Sequence, residues 1–173
     1  MRWIGPVSVF ALAAVVSFVV LLGLIPGIIM DRAMANLESR GVPLHAFVLS
    51  PRITPESQTV VRPSPDLAYS ICRYDLSDPA AVLTVTAGAY ADYSSISFFD
   101  ARTVNFATVR PPRGQQGTVR LLPPSAAGNG DAIIAPTTRG LVLIRRLAPS
   151  LDDYQRVGRT SSQDRCELSA NPA

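Results

Sequence analysis

The residues best placed for chemistry lie in Arg62-Pro63-Ser64-Pro65-Asp66, with Tyr69 just beyond. Each proline holds its φ near about −65°, which stiffens the segment. Arg62 and Asp66 are thereby presented at little ordering cost. Arg62 would serve as a clamp for an anion or a carboxylate, with Asp66 and Tyr69 as further ligand or partner contacts. A structural role competes with this one and is preferred. Asp66 would cap a turn through backbone N–H groups and pair with Arg62, while the prolines protect a sheet edge.

Other catalytic patterns are weaker. His45 is the single histidine, so a Ser-His-Asp arrangement would have to use it. Ser50, Ser64 and Ser70 are available, but no nucleophile-elbow pattern surrounds them. Asp152-Asp153 and the Asp75/Asp78 pair could pose as paired carboxylates. The first pair suits the first turn of a helix, and the second flanks a turn. Gly128-Asn129-Gly130 lacks the following helix that a phosphate loop needs. One histidine and two cysteines do not readily close a tetrahedral metal site. No catalytic residue, metal or cofactor is therefore assigned.

The elements that must position these residues begin with an apolar run. Trp3 to Met30 carries no charged side chain. A bilayer core of about 30 Å needs about 20 apolar helical residues, so the run is long enough to cross. It is also about twice the length of a usual signal-peptide core. Ala33-Met34-Ala35 resembles a cleavage site, and cleavage there would release a soluble exported protein. The long run argues instead for a retained, single-pass anchor. Arg2 precedes it, whereas Asp31 and Arg32 cancel after it. The positive-inside tendency then leaves the N-terminus cytoplasmic and exports residues 31 to 173. This predicts a bacterial inner-membrane protein with a periplasmic C-terminal domain.

The remainder is long enough for one domain with a core. The net charge is +3, and every basic residue is arginine. Only Arg145-Arg146 are adjacent, inside an apolar stretch, without the clustered basic and aromatic face that nucleic acid requires. No nucleic-acid partner is expected. Cys72 and Cys166 are the two cysteines, and in an exported domain they are candidates for a disulfide. Closing a loop of about 95 residues would stabilise by about 4 to 5 kcal/mol on the chain-entropy model.

The pattern along the chain predicts a β-rich domain. Asp31 to Arg40 continues the helix until Gly41 stops it. Prolines keep residues 41 to 66 extended, with Ala46 to Leu49 as a short strand. Strands are predicted over Leu67–Leu76, Ala81–Ala87, Tyr90–Phe99, Thr103–Val109, Thr118–Leu122, Ala132–Ala135 and Leu141–Leu147. Ser150-Leu151-Asp152-Asp153 reads as a capping box that opens a short helix carrying Tyr154 and Val157. The tail from Gly158 reads as loose unless Cys166 ties it down. The fold class is mainly β: a transmembrane helix, then an antiparallel sandwich or barrel-like domain with a short C-terminal helix. The expected divisions are an anchor (1–30), a juxtamembrane helix and proline-rich arm (31–66), a β-domain (67–165) and a tail (166–173).

Val60-Val61-Arg62-Pro63-Ser64-Pro65-Asp66-Leu67-Ala68-Tyr69-Ser70, followed by Tyr74-Asp75-Leu76-Ser77, resembles the bacterial domain-of-unknown-function family numbered 1254. That family carries a stretch reading R-P-N-P-D-T-L-Y-S, then a D-L strand. Its later motifs resemble Tyr90 to Asp100 and Ile134-Ala135-Pro136-Thr137-Thr138-Arg139-Gly140. The resemblance covers roughly residues 45 to 165. Ser64 stands where the family has Asn, and Leu67-Ala68 stands for Thr-Leu. Longer members join this domain to a second one, numbered 1214, which is absent here. The resemblance implies one half of a split pair, a companion carrying the other half, and no established activity.

The favoured expectation is a non-catalytic envelope protein that binds another protein, foremost that companion. The alternative is a small-molecule-binding or hydrolytic domain, completed by a partner chain, with Arg62, Asp66 and Tyr69 lining a pocket between sheets.

Overall fold

The computed structural model describes residues 3–54, 63–127 and 130–170. Helix α1 (Ile4–Ser39) is one continuous element. At about 1.5 Å per residue it is about 54 Å long, more than a bilayer core requires. It ends where Gly41 adopts φ 80°, a backbone conformation that glycine takes without steric cost. The first part of α1 is apolar all round and exposed to its surroundings. Nearer its end a stripe turns inward, and Met30 is buried.

Among the described residues the strands are β1 (Val48–Leu49), β2 (Leu67–Asp75), β3 (Ala81–Ala87), β4 (Ser94–Asp100), β5 (Asn105–Val109), β6 (Gly117–Leu122), β7 (Ile133–Ile134), β8 (Arg139–Leu147) and β9 (Arg165–Ala170). One sheet has the order β1-β2-β8-β4-β5, the other β7-β6-β3-β9. Neither closes on itself, so the domain is a sandwich and the barrel-like alternative does not hold. Strand pairing is antiparallel except between β6 and β7.

Period-two alternation explains the layering. On β2, Ala68, Ser70, Cys72 and Tyr74 are buried. Their cross-strand partners on β8 include Arg146, Ile144, Val142 and Gly140. Ile96 and Phe98 of β4 continue this face, and Leu83, Val85, Val119 and Leu121 face it from the other sheet. The disulfide between Cys72 and Cys166, with an S–S distance of 1.98 Å, joins β2 in one sheet to β9 in the other.

Helix α2 (Leu151–Ser161) starts at a capping box, with Ser150 and Asp153 each accepting from the other's backbone N–H. The Ser150 hydroxyl, and after it the Ser150 N–H, donate to the Asp153 carboxylate and hold that carboxyl below its ordinary pKa. Val157 is buried with Ala68, Tyr90 and Ala148 in a second small cluster. The polar stretch beyond Gly158 is not a loose tail. The helix continues to Ser161, and β9 pairs with β3 from Arg165 to Ala170. Cys166 supplies the tie, and Asp164 a second one described below.

Gly140 marks the tightest approach in the core. A Cβ there would lie 2.1 Å from the Phe99 carbonyl oxygen and 2.4 Å from the Tyr74 hydroxyl. That hydroxyl donates to the same carbonyl, 3.2 Å away. Gly140→Ala is therefore expected to destabilise by about 3 kcal/mol or more, at the upper end of overpacking costs. A denaturant titration of the detergent-solubilised chain measures this. A change under about 0.5 kcal/mol, the range of neutral surface substitutions, would contradict it.

Burial, and secondarily the Asp100 charge, raise the Tyr74 hydroxyl pKa well above the ordinary value. Burial also raises Tyr90 and Tyr154. A raised folded pKa gives stability that is complete below the unfolded value of about 10 and lost as pH climbs toward the folded one. The melting temperature should fall from about pH 10 upward. Tyr74→Phe should flatten that fall, and identical slopes in both proteins would refute this origin.

Candidate functional site

The sequence candidates divide on inspection of their surroundings. Arg62 lies outside the described residues. Asp66 is exposed, and its carbonyl accepts from Ala148 N–H at 2.7 Å, tying the entrance of β2 to the end of β8. The Tyr69 hydroxyl accepts from Ser64 N–H at 3.0 Å, which pins the proline turn to the strand. Tyr69 stands half-buried on the outer face of its sheet, in register with Arg145. Arg145 in turn donates to Ser97 Oγ at 2.7 Å.

His45 is engaged by backbone. Its Nε2 lies 3.1 Å from both the N and the O of Asp75, at a φ of 56°. Ser70 is buried on the core face, Ser64 serves the proline turn, and Ser50 N–H donates to the Tyr69 carbonyl. The paired carboxylates are turn and helix caps. Asp75 accepts from Ser77 N–H and Oγ, Asp78 accepts from Ala80 N–H, and Asp153 caps α2. Among the described residues no group of three metal-ligating side chains converges. Gly128-Asn129 lie outside the described residues.

Three built features were hidden from sequence patterns. The first is a buried ion pair. Arg146 Nη1 and Nη2 donate to the two Asp164 oxygens at 2.8 and 2.6 Å, with side chains 1% and 0% exposed. Gly88 closes the ring: its N–H donates to Asp164 at 2.9 Å, and its carbonyl accepts from Arg146 at 3.3 Å. Arg146 Nε is buried without a hydrogen-bond partner. This fork-on-fork pair locks the α2–β9 connection to β8. The adjacency of Arg145 and Arg146 was a visible signal, but the partner lies in a distant loop.

The second feature joins α1 to the sandwich. Arg73 is 6% exposed. It donates to the carbonyls of Val42 at 2.9 Å and Met34 at 3.3 Å and pairs with Glu38 at 3.1 Å. The helix end is thus fastened to β2.

The third is a pair of clefts beside the β5–β6 connection. One, of about 260 Å³, is lined by Tyr93, Arg110, Pro112 and Arg113 among others. The Arg110 guanidinium lies 5.7 Å from the Tyr93 ring centroid. The other, of about 520 Å³, is lined by Val109, Val119 and Ile133 together with Arg120 and Asp131. Asp92 and Ser94 also line the first cleft.

Helix α1 is long and apolar enough to cross a membrane, a property that a secretion signal near the N-terminus shares. No protein of curated function matches the chain. Among solved structures it is similar to the VPA0106 protein of Vibrio parahaemolyticus, with TM-score 0.57 and 11% identity over 84% of this chain and 35% of that one. It also matches a putative uncharacterized protein of Burkholderia cenocepacia, with TM-score 0.47 and 13% identity over 72% of this chain and 35% of that one. The first likeness is one of fold. The chain spans about a third of the length of each. The family model described as "Protein of unknown function (DUF1254)" matches residues 45–168. That match takes in both sheets, the disulfide and the buried ion pair, and the chain belongs to the DUF1254 family.

Proposed function

We propose that this protein is a membrane-anchored β-sandwich of the bacterial envelope that works by binding a companion protein rather than by catalysis. In this reading α1 is retained as a single-pass anchor, the N-terminus is cytoplasmic, and the sandwich through residue 170 is periplasmic. The companion carries the domain numbered 1214 that longer members hold in the same chain.

The observation that carries the reading is one of extent. The matched part, 84% of this chain, covers 35% of the VPA0106 chain, so that longer protein carries a large additional mass beside the same fold. The candidate catalytic groups support it too, because His45, Asp75, Asp78 and Asp153 spend their hydrogen bonds on local backbone. An oxidised Cys72–Cys166 pair fits an oxidising compartment.

Affinity isolation of the full-length protein from its native membranes tests this. A companion recovered in near-equal amount, with the 1214-type domain in its sequence, is the expected result. Recovery of the bait alone, from mildly solubilised membranes, would refute it.

A further inference from the structure

Resting on that reading, we infer that the companion docks by laying an extended, acidic segment along the open β5–β6 side of the sandwich. Three observations converge there. The first is unpaired backbone. β5 is the last strand of its sheet. Across the gap, β7 pairs only with Leu121 and Leu122 of β6. The outer side of Gly117–Arg120 is therefore left without a strand neighbour among the described residues. An edge of this kind is a template for a further strand.

The second is the groove between these edges. Its volume is about 520 Å³, and Val109, Val119 and Ile133 supply apolar surface from both sheets. Alternate side chains of an added strand would point into it, as period two requires.

The third is charge. Between Asp100 and Asp131 the chain holds four arginines and no acidic residue. Arg110, Arg113 and Arg120 are exposed, and among the described residues none of them forms an ion pair. Such a field attracts an acidic partner and excludes a basic one.

A protein segment fits better than a lipid surface. α1 is fastened to β2 through Arg73, whereas β5 is three strands away across the sheet. At about 4.8 Å per strand, β5 lies about 14 Å from the anchored strand. Lipid would also leave the backbone edges unanswered.

The test uses the full-length chain in phosphatidylcholine nanodiscs and short fluorescent peptides of alternating valine and glutamate, or valine and lysine. The glutamate peptide should bind and the lysine peptide should not. Hydrogen exchange should slow within Asn105–Val109 or Gly117–Arg120. Arg113→Glu combined with Arg120→Glu, both on exposed positions, should weaken binding about tenfold. Absent binding, equal binding of both peptides, or protection elsewhere would overturn the assignment. So would protection of this strip by nanodiscs containing phosphatidylglycerol in place of the peptide, which would make it a lipid contact. The same double variant, used as bait in native membranes, should lose the companion that wild type retains. Retention by both would overturn the docking surface and leave the companion reading standing. Failure of wild type to bring any companion would remove that reading as well.

Discussion

Asp164→Ala is expected to cost about 3 to 5 kcal/mol, a large part of the stability of an ordinary domain. The reason is the state it leaves behind. Arg146 would remain 1% exposed with its charge uncompensated, and the Gly88 N–H would lose its acceptor. Gly88 cannot easily move away, because a Cβ there would already lie 2.8 Å from the Thr160 carbonyl. Removing both charges tests the cause. Arg146→Leu with Asp164→Leu should recover most of the loss, since a buried pair often stabilises no more than apolar residues of similar volume. The unpaired Arg146 Nε already subtracts from what the pair contributes. Denaturant titrations of wild type and both variants in detergent decide the matter. If the single variant loses less than about 1 kcal/mol, the pair is not the clamp described here.

Replacing both cysteines with alanine is expected to destabilise the sandwich by about 4 to 5 kcal/mol on the loop-entropy model, given a sequence separation of 94. The loss should not be uniform. β9 is an edge strand whose residues are exposed apart from Cys166, so it holds to β3 by backbone pairing and to β2 by this bond. Hydrogen exchange should therefore accelerate first in Arg165–Ala170, then in the end of α2, before the β2–β8 pair responds. Both cysteines are buried, and thiol labelling of denatured, unreduced protein should find no free sulfhydryl. Two labelled thiols, or an unchanged stability in the double variant, would contradict this.

These two ties explain which parts of the fold were readable in advance. β2 and β3 announce themselves by alternation and β-branching, and β3 begins and ends where the residues suggest. The capping box at Ser150 and Asp153 was legible because its chemistry is local. Gly41 likewise marks the end of α1. β4 starts at Ser94 instead of Tyr90 because the Tyr90 hydroxyl turns to the Leu147 carbonyl at 2.6 Å, before the strand begins. β9 was illegible for a different reason. Its polar residues mostly face outward, and its place depends on pairing with β3 and on a partner cysteine far away in the chain. Arg146 and Asp164 are more distant still from any periodic rule, since one sits in an apolar strand and the other in a short loop.

The candidate site was legible in kind rather than in use. Pro65 and Asp66 form a turn at the entrance of β2, but Asp66 and Tyr69 serve backbone contacts there. His45 reads as a potential base only until its ring is seen against Asp75. The groove between β5 and β6 depends on which strands become sheet edges, and spacing along the chain carries no information about that.

The placement of the sandwich outside the cytosol, held by α1, underlies the proposed function. Fusing alkaline phosphatase after Ala173 and assaying carbonate-washed membranes tests it in one experiment. Active enzyme that stays with the membrane pellet is the expected result. Inactive reporter, or active reporter released intact into the wash, would contradict it.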